Sequence, residues 1–320
     1  MPLTTSTSHY KLQSPTLRIA FFGTPDLAVP TLEALAREHE IAVVVAQPDK
    51  PAGRGMKLQA PAVAAKAKEL GLPLMQPPKI RNDEFLGAIR ELAPDAGIVV
   101  AYGKILPAAL LAIPKHGFLN VHASILPKYR GAAPIQRAIE AGETETGVAI
   151  MRVDEELDHG PIFAIETLAI DPDEHSPALF RRLSSLGADA LVRVLREIDR
   201  GTAVETPQDH AAATHAAKIA KEEGLVTFDE DAKTIYDRFR AFDPWPGIHL
   251  ETGGETIKLT GIRPAQQTGI PRTILSIDPL IVAARTGAIE ILTMQRPNKP
   301  RAAAPDVARA LGWRAGDRIA

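Results

Sequence analysis

The sequence predicts an α/β protein with two domains, an open and mostly parallel sheet followed by a small antiparallel β domain. The chain has 320 residues, 45% of them hydrophobic and 24% charged, which matches about two globular domains of roughly 150 residues each. In the first half, near-continuous apolar runs alternate with helical segments, a pattern typical of parallel strands buried on both faces. From Gly224 onward, short β-type runs recur about every 8–12 residues, which is typical of a small barrel or sandwich.

Apolar strands and amphipathic helices account for the first domain. The predicted strands are at 17–22, 41–46, 96–101 and 147–153, and the predicted helices at 26–38, 60–70, 82–92 and 176–200. Thr24 is placed to cap the first helix, and Pro25 suits its first turn. The turn before that helix has only Gly23 where a dinucleotide-binding loop has three glycines, and the chain has no Walker-type phosphate loop. The sequence therefore argues against NAD and ATP chemistry.

The second domain is predicted from short strands with one helix, at 232–242, among them. The predicted strands are at 225–228, 248–251, 256–261, 273–277, 280–284 and 289–292. We divide the chain into a frayed tail at 1–16, the α/β domain at 17–205, a linker at 206–223 and the β domain at 224–320.

Composition excludes several classes of protein. The chain has no cysteine, which excludes disulfides, thiolate metal sites and a cysteine nucleophile. Its 37 basic and 39 acidic residues give a net charge of −2, so only a local basic patch could contact nucleic acid. No apolar run approaches the roughly 20 residues of a spanning helix, and the N-terminus lacks the apolar core of a secretory signal. We expect a cytoplasmic protein with no membrane contact and no evident obligate protein partner.

The strongest candidate site lies in the segment 117–127. Side chains alternate along a strand, so Asn120, His122 and Ser124 are predicted to share one face. Ligands of open α/β sheets bind beyond the carboxyl ends of the strands, which makes this face a candidate catalytic site. A hydrogen-bonded polar cluster beneath a loop is the alternative interpretation.

A second candidate is the acidic loop that follows the predicted strand at 147–153. Four of the five residues from Asp154 to Asp158 are acidic, and most of them are expected to be solvated. Asp158 differs because Gly160 allows a tight turn that could aim its carboxylate at the sheet. The spacing lacks the pattern of a calcium-binding loop, so we predict no metal site.

The third candidate is the loop at 47–58, which carries Lys50, Arg54 and Lys57 against the single acid Asp49. Its glycines and prolines are typical of a loop rather than a helix or strand. A solvated surface loop is one interpretation, and contact with phosphates or another anion is the other.

A series of motifs identifies a family resemblance. In chain order they are FFGTPD, QPDKPAGRG, VAYGKILP, NVHASILPKYRGAAPIQ, ETGVAIM, LDHGP and AFDPWPG. In these motifs the chain resembles the methionyl-tRNA formyltransferase family, from about Leu17 to the C-terminus and more weakly after Gly261. The Asn-x-His pair and the later Leu-Asp-x-Gly mark the wider 10-formyltetrahydrofolate-dependent transferases. The KPAGRG, GAAPIQ and DPWP segments resemble the tRNA enzymes in particular.

The resemblance implies a Rossmann-like catalytic domain and an OB-like β-barrel that binds tRNA. It also implies transfer of the formyl group of 10-formyltetrahydrofolate to the α-amino group of methionyl-initiator tRNA, for translation initiation. The catalytic residues would be Asn120, His122 and Asp158, and Arg54 would inspect the end of the acceptor stem. The folate-binding segment would be Ser124, Ile125, Leu126 and Pro127. His159 stands where the family often has threonine, and could perturb Asp158.

A mechanism without metal follows from these assignments. Asn120 and His122 are expected to donate hydrogen bonds to the oxygen that becomes negative during transfer. Asp158 would hold the His122 tautomer, favour its protonated form and take the amine proton through a water.

Two basic stretches could contact the tRNA phosphates. The residues are Lys115, Lys128, Arg130 and Arg137 in the first stretch, and Arg296, Lys299, Arg301, Arg309, Arg314 and Arg318 in the second.

Other functions stay open. A sugar-nucleotide or amino-sugar N-formyltransferase would share the catalytic residues and the folate donor, but should lack the basic loop. A non-catalytic RNA-binding protein would explain the basic stretches but not the three catalytic residues. A purine-pathway glycinamide formyltransferase is disfavoured because it would need only about the first 200 residues.

Overall fold

The computed structural model describes residues 17–52 and 57–319. This part of the chain divides into two compact units. The first unit comprises the chain up to Leu119 together with Leu191–Val204, and the second comprises Asn120–Ala190 together with the chain from Glu205 onward.

Parallel strands flanked by helices make up the first unit. The strands are β1 (Arg18–Gly23), β2 (Glu40–Val45), β3 (Lys50–Ala52), β4 (Lys57–Gln59), β5 (Leu74–Met75), β6 (Ala96–Val100) and β7 (Phe118–His122), which continues into the second unit. The helices are α1 (Val29–Glu38), α2 (Ala62–Glu69), α3 (Asp83–Leu92) and α4 (Ala108–Leu111). The sheet order is β7-β6-β1-β2-β5, and β1 pairs in parallel with both β2 and β6. β3 and β4 form a separate antiparallel hairpin.

The centre of this sheet is buried on both faces because its strands are apolar at consecutive positions. Phe21 and Phe22 of β1 are both fully buried, although they point to opposite faces. Gly97 of β6 lies against the Phe118 ring so closely that a Cβ at Gly97 would be 2.4 Å from a ring atom. A side chain at this position would therefore displace the first part of β7.

The second unit contains the end of β7 and the C-terminal sheet. Its further elements are β8 (Arg130–Gly131), α5 (Pro134–Glu140), β9 (Glu145–Arg152), β10 (Ile162–Ala169), α6 (Ser176–Asp199, whose last turns belong to the first unit), β11 (His215–Ala216), α7 (Ala232–Ala241), β12 (Ile248–Thr252), β13 (Glu255–Ala265), β14 (Ile274–Ile277), β15 (Leu280–Ala283), β16 (Ala288–Gln295), β17 (Ala302–Ala303) and α8 (Ala304–Ala310). The sheet order in the first part is β10-β9-β7, with β9 and β10 antiparallel. The C-terminal sheet is antiparallel, in the order β12-β13-β16-β15-β14, and β17 pairs with β16.

This architecture confirms the predicted fold class, a mostly parallel α/β sheet followed by an antiparallel β domain. The domain boundaries at 205 and 224 stay a prediction. The predicted tail at 1–16 lies outside the described residues.

Several local predictions differ from the structure. Thr24 does not cap the first helix, because its hydroxyl donates to the distant carbonyl of Tyr102 at 3.0 Å. A 3₁₀ turn at Asp26–Ala28 precedes α1 instead. The predicted strand at 225–228 makes only an isolated bridge between Leu225 and His249.

Among the elements that were not predicted from the sequence are β10 and α8. β10 has exposed residues at alternate positions, so polar side chains interrupt its apolar pattern. α8 is only seven residues long, which is short for a helical periodicity to be recognised.

Candidate active site

Asn120, His122 and Asp158 lie together at the end of β7. Asn120 and His122 are two residues apart on this strand and share one face, while Asp158 belongs to the loop between β9 and β10. The Asn120 Nδ2 donates to Asp158 Oδ1 at 3.2 Å, and His122 Nδ1 lies 3.5 Å from Asp158 Oδ2. The side chains of His122 and Asp158 are only 6% and 11% exposed. An amide, an imidazole and a carboxylate thus form one nearly buried cluster.

The tautomer of His122 is fixed from the side opposite Asp158. Its Nε2 lies 2.9 Å from the backbone carbonyl oxygen of Tyr129. Because a carbonyl oxygen only accepts, Nε2 must carry a hydrogen. The other ring nitrogen, Nδ1, faces Asp158. Tyr129 thus contributes to the ring orientation, which was predicted from the sequence to depend on Asp158 alone.

Tyr129 is itself held at both ends. Its backbone N–H donates to the hydroxyl of Thr214 at 2.8 Å, and its phenol donates to Glu143 Oε1 at 2.7 Å. Burial, followed by the hydrogen bond to Glu143, raises the pKa of Tyr129 above its ordinary value, so the phenol remains a donor. The backbone is left-handed, with a φ of 60°. These contacts fix the carbonyl that His122 uses.

Asp158 also has an unusual backbone, with a φ of 49°, in the region that favours glycine. Its Oδ2 accepts the backbone N–H of Gly131 at 2.9 Å. Gly160 contributes through close approach, because a Cβ there would lie 2.1 Å from the carbonyl oxygen of Arg152. The loop is therefore shaped so that Asp158 turns its carboxylate toward β7 and β8.

Gln208, which lies in the segment predicted as a linker, is not among the site residues predicted from the sequence. Its side chain is buried, with 7% exposure. It donates to the carbonyls of Asp158 and Gly160 and accepts from Arg130. A single polar residue in a polar stretch carries no pattern, so the sequence offered no signal for it.

The proposed folate segment divides into buried and accessible residues. The prediction that Ser124 shares the strand face with His122 is wrong, because β7 ends at His122. Ser124 is completely buried, and its hydroxyl closes a turn by donating to the carbonyl of Lys128 at 2.6 Å. Serine here shapes the loop, since the hydroxyl is already engaged.

The remaining residues of the segment differ in exposure. Leu126 is buried and packs with Ala149 and Met151. Ile125 and Pro127 are half-buried, so they are the two side chains of the segment that offer a surface to a ligand.

His159 points to partners other than Asp158. Its Nδ1 lies 2.7 Å from Asp154 Oδ2. Its ring stacks on that of His210, with centroids 4.0 Å apart and an interplanar angle of 4°. His159 is thus held by Asp154 and His210, and no contact with the Asp158 carboxylate is observed among the described residues.

The predicted tRNA-binding residue Arg54 lies outside the described residues. The strands on either side of it, β3 and β4, pair with each other from Lys50–Gln59 to Ala52–Lys57. The hairpin base is tied down by Gln47, whose side-chain amide donates to the carbonyl of Tyr102 at 2.9 Å.

Several residues of the two basic stretches are engaged in contacts within the chain. Arg137 pairs with Glu223 at 2.6 Å and with Glu140 at 2.7 Å. Arg296 pairs with Glu255 at 2.6 Å. In the same way, Arg309 pairs with Asp278 and Asp306, while Arg130 bonds Gln208. The charge available to a nucleic acid is therefore smaller than the sequence count implies.

Residues 17–52 and 57–319 contain neither a cluster of metal-ligating side chains nor a helix suited to cross a membrane. No group of three or more metal-ligating side chains is placed to hold an ion. No helix in this part of the chain is both long and apolar enough to cross a membrane.

The sequence matches two family models. Residues 17–195 match formyl transferase, and residues 218–312 match the formyl transferase C-terminal domain. The chain belongs to the formyl transferase family.

Its near full-length relatives define the group within this family. The methionyl-tRNA formyltransferase of Thermus thermophilus is 44% identical over 305 residues, which is 95% of this chain and 99% of that protein. The methionyl-tRNA formyltransferase of Deinococcus radiodurans is 48% identical over 281 residues, 87% of this chain and 88% of that protein.

Solved structures share the fold at lower identity. An N-formyltransferase from Helicobacter canadensis, in complex with folinic acid and dTDP-3-aminofucose, aligns with a TM-score of 0.68 and 16% identity over 88% of this chain and all of that one. HypX from Aquifex aeolicus, in complex with tetrahydrofolic acid, aligns with a TM-score of 0.63 and 21% identity over 95% of this chain and 50% of that one. These similarities establish the fold and no more.

Proposed function

We propose that this enzyme transfers the formyl group of 10-formyltetrahydrofolate to the α-amino group of methionine on initiator tRNA, in the cytoplasm. The cluster of Asn120, His122 and Asp158, with its 3.2 Å and 3.5 Å contacts to the Asp158 carboxylate, carries the proposal for the chemistry. The near full-length relatives named methionyl-tRNA formyltransferase support the choice of substrate.

Asn120 is the best placed donor for a developing oxyanion. One hydrogen of its amide goes to Asp158 Oδ1, and the second remains for the formyl oxygen. Such a donor contributes most when negative charge builds up on that oxygen, and its loss typically costs about 10²–10³ in rate. The nearly buried position of its partners increases the electrostatic effect.

His122 and Asp158 act as a pair in this proposal. Nε2 of His122 is engaged by Tyr129, so a second proton on the ring lies on Nδ1, which faces Asp158. The imidazolium then places a positive charge beside Asn120, where the oxyanion forms. Asp158 compensates this charge and takes the proton that the attacking amine releases, through a water.

The substrates supply the remaining chemistry. The folate brings the formyl group, and the new bond from the amine nitrogen to the formyl carbon replaces the bond to the folate nitrogen. The folate nitrogen leaves as a neutral amine by taking up one proton, which balances the proton that the attacking amine releases. A free α-amine has a pKa of about 8, and that of an aminoacyl ester is lower. The amine is therefore a competent nucleophile near neutral pH without a strong base.

Binding of the two substrates is assigned to separate parts of the chain. Ile125 and Pro127 offer the accessible side chains of the folate segment, while Ser124 and Leu126 shape it. For the tRNA we propose Arg54 and the residues of the second basic stretch that form no ion pair in the described part of the chain. These are Lys299, Arg301, Arg314 and Arg318.

A direct assay tests the proposal. The enzyme is incubated with methionyl-initiator tRNA and 10-formyltetrahydrofolate, and N-formylmethionine is measured after hydrolysis of the ester. Deacylated tRNA and the Asp158→Asn variant serve as controls. Formylation of an amino-sugar nucleotide but not of the tRNA would instead support the sugar N-formyltransferase alternative. No product from folded wild-type enzyme would overturn the proposal.

A further inference from the structure

Gln208 makes four hydrogen bonds within the frame of the site. Its Nε2 donates to the carbonyl of Asp158 at 2.9 Å and to that of Gly160 at 2.7 Å. Its Oε1 accepts from Arg130, with Nη2 at 2.7 Å and Nε at 3.2 Å. Both hydrogens and the oxygen of the carboxamide are thus used in a residue that is 7% exposed.

The orientation of this carboxamide is determined by its partners. A guanidinium only donates and backbone carbonyls only accept. Reversing the amide would turn its oxygen toward two carbonyls and its NH₂ toward Arg130, so the observed orientation is the one that satisfies all four bonds. Gln208 therefore binds the carbonyls of Asp158 and Gly160 in a single orientation of its carboxamide.

Asp158 needs such support because of its backbone. A non-glycine residue in the left-handed region persists only where its surroundings hold it there. Gln208 binds the carbonyl of Asp158 itself and the carbonyl two residues later, and so holds the loop on both sides of the bend.

Strand β8 connects this support to the carboxylate. Gly131 donates its N–H to Asp158 Oδ2 at 2.9 Å, and the preceding residue, Arg130, binds Gln208. Arg130 also reaches Nδ1 of His210 at 2.9 Å through Nη2. Gly131 therefore holds the side chain of Asp158 directly. The neighbouring Arg130 supports the backbone of Asp158 indirectly, through Gln208.

We propose that Gln208 is a positioning residue that holds the Asp158 carboxylate in register with Asn120 and His122. This inference rests on the proposed function, in which Asp158 pairs with His122 and takes the amine proton. Because the reaction needs these groups in place to within a fraction of an ångström, a shift of about 1 Å can cost up to about 100-fold in rate. Gln208 itself touches no substrate, so its loss should change kcat and leave binding unchanged.

The sharpest variant is Gln208→Glu, which is nearly isosteric. The carboxylate keeps its contact with Arg130 but turns an oxygen toward the carbonyls of Asp158 and Gly160. We expect kcat to fall at least about 10-fold, while KM for tRNA and folate stays within about twofold. Glu205→Gln is the matched control, because it removes the negative charge that pairs with Arg152 in the same segment and changes no group that contacts Asp158. Gln208→Asn, which keeps the amide but shortens its reach, should lower kcat in the same direction and serves if the Glu variant does not fold.

A double-mutant cycle with Asp158→Asn separates positioning from a general structural role. If Gln208 acts through Asp158, Gln208→Glu should cost less than about twofold in the Asp158→Asn background. Multiplicative losses, or a single variant within about threefold of wild-type kcat, would overturn the inference. An Asp158→Asn variant as active as wild type would instead overturn the role of Asp158 in the proposed function, and the inference with it.

Discussion

The Nε2 hydrogen of His122 is donated to the carbonyl of Tyr129 at 2.9 Å, so the ring presents Nδ1 to Asp158. The Nε2 hydrogen is thus used by the backbone, and in the proposed mechanism it does not bind the substrate. In the proposed mechanism, the oxyanion is then stabilised by the second hydrogen of the Asn120 amide and by the charge that His122 carries when both ring nitrogens are protonated. The proposal therefore gives Asn120 and His122 different roles, whereas their shared strand face alone predicts two equivalent donors.

Replacing either strand residue should abolish most of the activity. We expect Asn120→Ala and His122→Ala each to lower turnover at least about 100-fold, because each removes stabilisation of the developing charge. The melting temperature checks that the fold is intact. His175→Ala is a matched control, since it breaks another histidine–aspartate pair, the 2.9 Å contact with Asp243, away from these residues. A variant that keeps more than about a tenth of wild-type turnover would remove its residue from the catalytic role.

Asp158→Asn should lower turnover to a similar extent and change the pH profile. A neutral amide can neither compensate an imidazolium nor accept the amine proton. The measurement is turnover as a function of pH, with Asp154→Asn, in the same acidic loop, as the control. A profile of Asp158→Asn that equals the wild type in height and shape would make Asp158 an ordinary loop carboxylate.

Arg54→Ala is expected to impair the use of charged tRNA while leaving folate binding unchanged. Steady-state kinetics on initiator tRNA at fixed salt should show a higher KM for the tRNA or a lower turnover. Arg54→Lys should restore only part of the loss, because lysine lacks the paired donors of a guanidinium. The melting temperature should stay within about 2 °C of wild type. Equal efficiencies for wild type and Arg54→Ala would reopen the small-substrate alternative.

The basic residues of the C-terminal domain should differ in their contribution to tRNA binding, depending on whether they form an ion pair. Arg301 is exposed and forms no ion pair in the described part of the chain, whereas Arg296 is bound to Glu255. Both alanine variants remove one positive charge, so their effects on the long-range field are matched. We expect Arg301→Ala to weaken tRNA binding more than Arg296→Ala does. Arg301→Ala should also reduce the salt dependence of tRNA binding by up to about one phosphate contact. Equal losses would show that net charge alone decides binding.

His39 should make the stability of the protein fall in mild acid. Both of its ring nitrogens are buried without a hydrogen-bond partner among the described residues. Burial lowers the pKa of His39 below its ordinary value of 6.5, so the unfolded chain binds a proton more readily than the folded one. Stability is then highest above pH 6.5 and declines as the pH falls from there toward the lower folded pKa. His39→Leu should flatten this decline in the free energy of unfolding between pH 7 and 5. A slope identical to that of the wild type would contradict the assignment.

The periodic parts of the fold were predictable from the sequence because burial imposes a pattern on them. The apolar runs of β1, β2 and β6 gave these strands to within about two residues, and the polar alternation on β7 put Asn120 and His122 on one face. The same reasoning extended the face to Ser124, beyond the end of the strand, where the backbone turns and alternation no longer holds.

The parts of the site that could not be predicted depend on contacts between distant residues. Gln208 reaches Asp158 across 50 positions, and Arg130 reaches Gln208 across 78. Neither contact leaves a local pattern, since each involves one polar side chain and a partner defined only by the fold. The left-handed backbone of Asp158 could not be predicted either, because glycine is the residue that favours this conformation and the sequence has its glycine at Gly160.

The pairing of β8 with β11 has a consequence for the order in which the protein is made. All three candidate catalytic residues have been added to the chain by residue 158, but Gln208 follows 50 residues later, and β11, which pairs with Arg130 and Gly131, later still. A nascent chain that stops before this point contains the reacting groups without the backbone that orients them. We therefore expect a chain released before residue 208 to transfer formyl groups more slowly than the full chain, although it contains all three candidate catalytic side chains.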